Sequence, residues 1–191
     1  MEDWVRRALA KWPNVPALYG WLSLDRRGRW RIRDEPITRP QIVDTISRNY
    51  AADAQGRWYF QNGPQRGYVA LAYTPLVLRA DPSGDLRTHT GLAVTRVGTA
   101  YLDEEGALVL ATEHGPGVLD DQDLGWALAR FTGADRVFDE NLLADALALP
   151  SGAATPLQLR FGAARVPVVR VDAAEMPQRL GFVRDPQPDP R

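Results

Sequence analysis

The 191-residue chain contains no cysteine, two histidines and one lysine, Lys11. Without cysteine there is no disulfide, no thiolate metal ligand and no cysteine nucleophile. With Lys11 as the sole lysine, and no Gly-x-x-x-x-Gly-Lys-Ser/Thr, a P-loop is excluded. Schiff-base chemistry would fall to Lys11, on a terminal helix. No Gly-x-Gly-x-x-Gly follows a strand and no Gly-x-Ser-x-Gly occurs, which removes the dinucleotide fingerprint and the nucleophile elbow. No stretch of about 18 apolar residues is present, so no membrane-spanning helix is expected. The start, Met-Glu-Asp-Trp-Val, has acids where a signal peptide needs positive charge. The expected compartment is therefore the cytoplasm. No cofactor is implied.

What is present is ordinary globular composition, 45% hydrophobic and 25% charged, with six tryptophans. A chain of this length hides roughly 70% of its unfolded surface, enough for a sizeable core. The net charge of −1 is unevenly spread. Residues 1–96 carry 15 basic and 9 acidic side chains, whereas residues 97–191 carry 8 and 15. Such asymmetry suits contact between the halves, head-to-tail association into a homo-oligomer, or an anionic partner for the basic half.

Along the chain, Asp3 can cap a short helix with apolar positions Trp4, Val5, Ala8, Leu9 and Trp12, ended by Pro13. Tyr19–Leu24 and Arg29–Arg33 flank Asp25-Arg26-Arg27-Gly28 and read as a hairpin. Thr38 and Gln41 fit a capping box for a helix whose apolar stripe is Ile42, Val43, Ile46 and Tyr50, with Asp44 and Arg48 as an exposed pair. Asp-x-x-Gly recurs at Asp53, Asp81 and Asp103. The strand Gly67–Tyr73 is apolar on both faces and should lie centrally, with Leu76–Leu78 continuing its sheet. Gly115-Pro116-Gly117 reads as a loop. Asp120 opens a helix carrying Leu124, Ala127, Leu128 and Phe131 that stops at Gly133. Asp139 caps a third helix with Leu142, Leu143, Ala146 and Leu147. Leu157–Phe161 and Arg165–Val171 form a closing hairpin, and Pro167 argues that its second strand is an edge. The turns at Asp25 and Asp103, 78 residues apart, suggest a duplicated hairpin-plus-helix unit.

The expected fold is α+β: antiparallel sheets, two hairpin-plus-helix units as a possible internal repeat, and a C-terminal hairpin. The expected organisation is an N-terminal lobe over 1–96, a C-terminal lobe over 97–184 and a disordered tail over 185–191.

Three constellations could carry chemistry. His89 and His114, the latter beside Glu113, each follow a strand pattern and could serve as base or ligand. Neither has metal-ligand spacing, so turn histidines are the plainer reading and no metal site is assigned. The segment Gly56–Gly67 interleaves Trp58 with Gln61, Asn62, Gln65 and Arg66, residues that could rim a polar pocket or decorate a hairpin turn. Arg29, Arg31 and Arg33 alternate with Trp30 and Ile32, which would place three guanidinium groups on one sheet face, as an anion row or a solvated surface. Nucleic acid is disfavoured because the chain is slightly acidic.

At Trp12-Pro13-x-Val15-Pro16-x-x-Tyr19-Gly20-Trp21-Leu22 and at Gly56–Arg66 the chain resembles an uncharacterised family of short bacterial proteins, a domain of unknown function. Residues 28–78 resemble, more loosely, a second bacterial family without assigned function. It is described as α+β with repeated motifs and a suspected signalling role. The resemblance covers about half the chain. It implies architecture and no catalytic residue.

The expected function is a non-catalytic ligand-binding or regulatory module that contacts a small polar ligand or a protein partner. The alternative is a hydrolase-type enzyme using His89 or His114 with Glu113.

Overall fold

The computed structural model describes residues 3, 7, 10, 11, 15–134 and 137–189. The apolar positions expected of the first helix, Trp4, Val5, Ala8, Leu9 and Trp12, lie outside the described residues, as does Pro13. The chain divides into two compact units. The first comprises Met1–Pro75, His89–Gly91 and Gly181–Arg191; the second comprises Leu76–Thr88 and Leu92–Leu180.

In the first unit, strands β1 (Leu18–Leu24), β2 (Trp30–Ile32) and β3 (Glu35–Pro36) precede helix α1 (Pro40–Arg48), and β4 (Tyr50–Ala52), β5 (Trp58–Asn62) and β6 (Gln65–Leu71) follow. The sheet order is β3-β2-β1-β6-β5-β4. Its core gathers Leu22, Leu24, Trp30, Ile46, Trp58, Val69 and Leu71. Strand β6 is central, as its two apolar faces require.

In the second unit, β7 (Leu76–Ala80), β8 (Leu86–Thr88), β9 (Val97–Leu102), β10 (Leu108–Thr112) and β11 (Gly115–Leu119) lead to a 3₁₀ turn (Asp121–Asp123). Helix α2 (Leu124–Leu128), β12 (Phe131–Gly133), α3 (Glu140–Leu147), β13 (Ala154–Phe161), β14 (Ala164–Arg170) and α4 (Met176–Leu180) complete it. The eight strands run β12-β13-β14-β9-β10-β11-β7-β8. Leu102, Leu108, Leu110, Leu142, Leu157 and Leu159 are fully enclosed in its core.

The four Asp-x-x-Gly turns share one construction. In each, the aspartate carboxylate accepts from the amides two and four residues on: Arg27 and Arg29 at Asp25, Gln55 and Arg57 at Asp53, Ser83 and Asp85 at Asp81, Glu105 and Ala107 at Asp103. The glycine amide returns to the aspartate carbonyl at 2.9–3.1 Å. A side chain that satisfies two loop amides makes the turn local and self-contained.

The mixed α+β class agrees with the sequence reading, but the sheets are mixed rather than antiparallel. Three pairs run parallel: β1 with β6, β7 with β11, and β9 with β14. A duplicated hairpin-plus-helix unit is not shown. Asp120 caps the 3₁₀ turn through Gln122, α2 ends at Leu128, and Phe131–Gly133 is strand. Strand β7 joins the second sheet instead of extending the first. Gly115–Leu119 is strand, not loop, and Gly117 permits its pairing with β7, because a Cβ there would lie 2.7 Å from the Leu78 side chain. Strand β14 is interior. Pro167 is tolerated because the β9 ladder begins only at Val168. Helix α1 starts with Pro40 at its first turn and Arg39 as N-cap, so the expected capping box is not formed.

Candidate functional site

Helix α1 lies over one face of the first sheet and leaves a groove of about 480 Å³ beside it. Gln41, Ile42, Thr45 and Ile46 line it from the helix. Leu18, Trp21, Leu22 and Ile32 line it from β1 and β2, and Phe60, Asn62, Gln65 and Tyr68 from β5 and β6. The wall is predominantly apolar, with the amides of Gln41, Asn62 and Gln65 and the Thr45 hydroxyl as its polar groups. Trp21, Ile32, Ile42 and Leu18 are 48%, 44%, 41% and 40% exposed, half of the large apolar side chains that stand open to solvent among the described residues. These side chains are gathered around one concavity rather than scattered singly over the surface.

The groove depends on a local irregularity. The register of β1 against β6 shifts between Leu18 and Leu22, with Gly20 at φ 72°. A bulge of this kind redirects side chains, so Trp21 and Leu22, adjacent in sequence, both reach the groove. Strict alternation would have sent them to opposite faces, which is why Trp21 was not legible as a site residue. Arg33 stacks its guanidinium 3.8 Å from the Trp21 ring centre.

The candidates from Gly56–Gly67 separate into two groups. Asn62 and Gln65 are in the groove, and Gln65 Nε2 also donates to the Pro16 carbonyl at 3.2 Å. Gln61 is fully buried and serves the turn. Its amide donates to the Gly63 and Gln65 carbonyls and accepts from Arg66. Arg66 stacks over Tyr59 at 4.5 Å. Trp58 is buried in an aromatic cluster with Tyr50, whose ring centre is 4.8 Å away.

Two arginines of the alternating segment, Arg29 and Arg31, approach the same Asp25 carboxylate at 2.7 and 4.0 Å, whereas Arg33 stacks on Trp21. Arg29 sits in the turn, paired with Asp25 at 2.7 Å, and Arg31 donates to the Asp34 carbonyl. Strand β2 ends at Ile32 because Arg33 and Asp34 take positive φ, 47° and 68°. That reversal turns Arg33 toward Trp21.

His89 belongs to the first unit, where its ring packs 5.2 Å from Trp30 and 5.9 Å from Tyr50. His114 and Glu113 belong to the second. Glu113 accepts from the Thr95 amide and hydroxyl at 2.6 and 2.7 Å and from the Arg96 amide at 3.2 Å. Burial opposes its ionisation, but these donors outweigh burial and pull the carboxyl down to about 2. These bonds make Glu113 a staple of the 95–96 segment, and its Oε1 also lies 3.7 Å from His114 Nε2, so the two residues paired in the sequence reading are neighbours. His114 Nε2 lies 2.9 Å from the Ala93 carbonyl, an acceptor, so that nitrogen carries the proton. Among the described residues no three histidine, aspartate or glutamate side chains gather as a metal site. No helix among them is long and apolar enough to cross a membrane.

Glu113 gives a pH prediction. Its folded pKa is lowered, so its contribution is complete above the ordinary value of 4.5 and is lost as pH falls toward about 2. Thermal melts across that window should show a decline in wild type that is shallower in Glu113→Gln. Parallel curves for the two proteins would show that Glu113 is not the group responsible.

A model of the family described as "Protein of unknown function (DUF2946)" matches residues 1–187. Among solved structures, a DUF1285 family protein from Silicibacter pomeroyi DSS-3 is similar at 16% identity, with a TM-score of 0.54, over 82% of this chain and 84% of that one. A DUF1285 family protein from Shewanella baltica OS155 covers 53% of this chain and 85% of its own at 15% identity, with a TM-score of 0.41. At 16% identity the first likeness is one of fold. No curated protein matches the chain.

Proposed function

Since the chain belongs to this family of proteins of unknown function, no activity passes to it from relatives, and we propose from its geometry that it is a ligand-binding module. The site is the groove beside α1, and the ligand class is a small amphipathic molecule with an apolar body and a hydrogen-bonding end. The observation that carries this reading is the convergence of Leu18, Trp21, Ile32 and Ile42, all substantially exposed, on one cavity of small-molecule size. Each of these four side chains is 40–48% exposed and so forgoes somewhat under half of the about 1.5–3 kcal/mol that complete burial is worth, part of which an apolar ligand would recover. Gln41, Asn62 and Gln65 supply both donors and acceptors, so they suit a neutral polar end such as an amide or alcohol. The sequence reading of a small polar ligand is thereby narrowed to one with an apolar majority.

The test uses the full chain and an environment-sensitive naphthalene sulfonate dye. Wild type should enhance and blue-shift the dye emission. Ile42→Asp, which puts a carboxylate on the groove wall without touching the core, should weaken dye affinity about tenfold or more, because a charge there must be desolvated when the dye enters. Medium-chain alcohols and amides should displace the dye from wild type. Unchanged dye affinity in Ile42→Asp would overturn the assignment.

A further inference from the structure

We propose that the second unit holds a separate site for a small multivalent oxyanion, in the cavity between the β7–β8 turn, the end of α2 and the end of β13. This cavity, about 730 Å³, is lined by Arg87, Arg130, Arg160, Trp126, Phe161 and Asp85, among others. The inference is independent of the groove.

The unit is acidic overall, with nine arginines against fifteen carboxylates. Three of those arginines nevertheless converge here, and Asp85 is the only carboxylate on the wall among the described residues. Arg130 is fixed by neutral groups. Its Nη1 donates to the Trp126 carbonyl at 3.2 Å, its Nη2 donates to the Gly84 carbonyl at 3.3 Å, and its guanidinium lies 4.4 Å from the Trp126 ring centre. Trp126 is itself anchored, its Nε1 donating to the Gly84 carbonyl at 2.8 Å. Arg160 donates through Nη2 to the Ala129 carbonyl at 3.4 Å, and its backbone amide donates to the Arg130 carbonyl at 2.9 Å. Neither Arg130 nor Arg160 has a carboxylate within ion-pair distance among the described residues. Arg87 is associated with Asp81 at 3.7 Å, and the Asp85 carboxylate accepts from the Ser83 hydroxyl at 3.3 Å.

Three guanidinium groups border one cavity, and the fixed posture of Arg130 keeps its charge on that wall, so an anion entering the cavity is attracted by all three. Planar guanidinium groups with donors to spare match the paired oxygens of phosphate and carboxylate, and the neighbouring Trp126 and Phe161 rings, 6.4 Å apart, offer an apolar wall for the rest of the molecule. The shared chemistry is therefore an oxyanion with at least two negative charges, a phosphate or a polycarboxylate.

The experiment titrates the full chain with inorganic pyrophosphate and, separately, with citrate by calorimetry. Saturable one-to-one binding of either probe at or below millimolar concentration is expected. Pyrophosphate alone would identify a phosphate site and citrate alone a carboxylate site. Arg160→Gln, at an exposed position, should weaken the bound probe about tenfold or more. Arg130→Gln should do the same, with circular dichroism confirming its fold. Arg165→Gln, an arginine of the same unit outside this cavity, should leave affinity unchanged. Absence of binding by both probes, wild-type affinity in Arg160→Gln, or equal weakening by Arg165→Gln would each overturn the proposal. Dye binding in the groove should be the same in all three variants, so this site and the groove stand or fall separately.

Discussion

Gly56→Ala is expected to lower the melting temperature far more than Gly106→Ala, although the two glycines hold the same place in the same kind of turn. Both have positive φ, 76° and 86°, where an L side chain costs roughly 1–2 kcal/mol. Around Gly106 a new Cβ would meet nothing within 4 Å, so that cost is the whole effect. At about 2–4 °C per kcal/mol for a chain of this size, a shift of a few degrees follows. At Gly56 the Cβ would lie 2.2 Å from the Gly181 carbonyl oxygen, inside any tolerable contact. The Val183 amide donates to the Gly56 carbonyl at 2.9 Å, and Arg57 bridges to Val183 in parallel fashion. The C-terminal segment must move away for the methyl group to fit, and those bonds then break. The expected loss is more than about 3 kcal/mol, counting strain together with broken backbone hydrogen bonds. Equal shifts in the two variants would show that residues 181–183 do not lie against the turn.

Trp30→Ala should be the most damaging single truncation in the first unit, at about 3–5 kcal/mol. Trp30 is 1% exposed, its ring meets Tyr50 edge-on at 4.9 Å, and its Nε1 donates to the Ser47 hydroxyl at 3.2 Å. Truncation leaves a cavity that Tyr50 is poorly placed to fill, because its own hydroxyl donates to the Pro75 carbonyl at 3.0 Å. Urea unfolding should show a lower midpoint with an unchanged slope. Trp21→Ala is the contrast. That side chain is 48% exposed, so stability should change little while dye binding in the groove falls. A stability loss from Trp21→Ala as large as that from Trp30→Ala would show that Trp21 belongs to the core and not to a binding surface.

Local features were the most legible part of the sequence. Asp-x-x-Gly carries its own hydrogen-bonding logic, and all four copies turn hairpins. Asp139 caps α3 through the Leu142 amide as its spacing predicts. Asp44 and Arg48 pair at 3.0 Å on α1. Longer-range pairing was not legible, since period-two alternation reports which face a residue takes and says nothing of which strand lies alongside. The parallel neighbours of β1, β7 and β9 were missed for that reason, and Pro167 was misplaced because the ladder it would have broken starts one residue later. At the site, Asn62 and Gln65 could be picked out by composition. Leu18, Trp21, Ile32 and Ile42 could not, because an apolar residue that faces a groove and one that faces a core have the same spacing. The bulge at Gly20 removed the remaining cue.

The three parallel ladders also bear on how quickly the chain can assemble. Hairpins turned on their own aspartates need only neighbouring residues and form on the microsecond scale. By contrast, Leu24 finds Leu71, and Leu102 finds Arg170, only after a long intervening segment has been drawn closed, at an entropic cost that local contacts do not share. Finished hairpins should therefore accumulate ahead of the joined sheets. On a ribosome, β9 waits for β14 until Ala164–Arg170 has been made, and through that interval one of its edges stays open to a wrong strand.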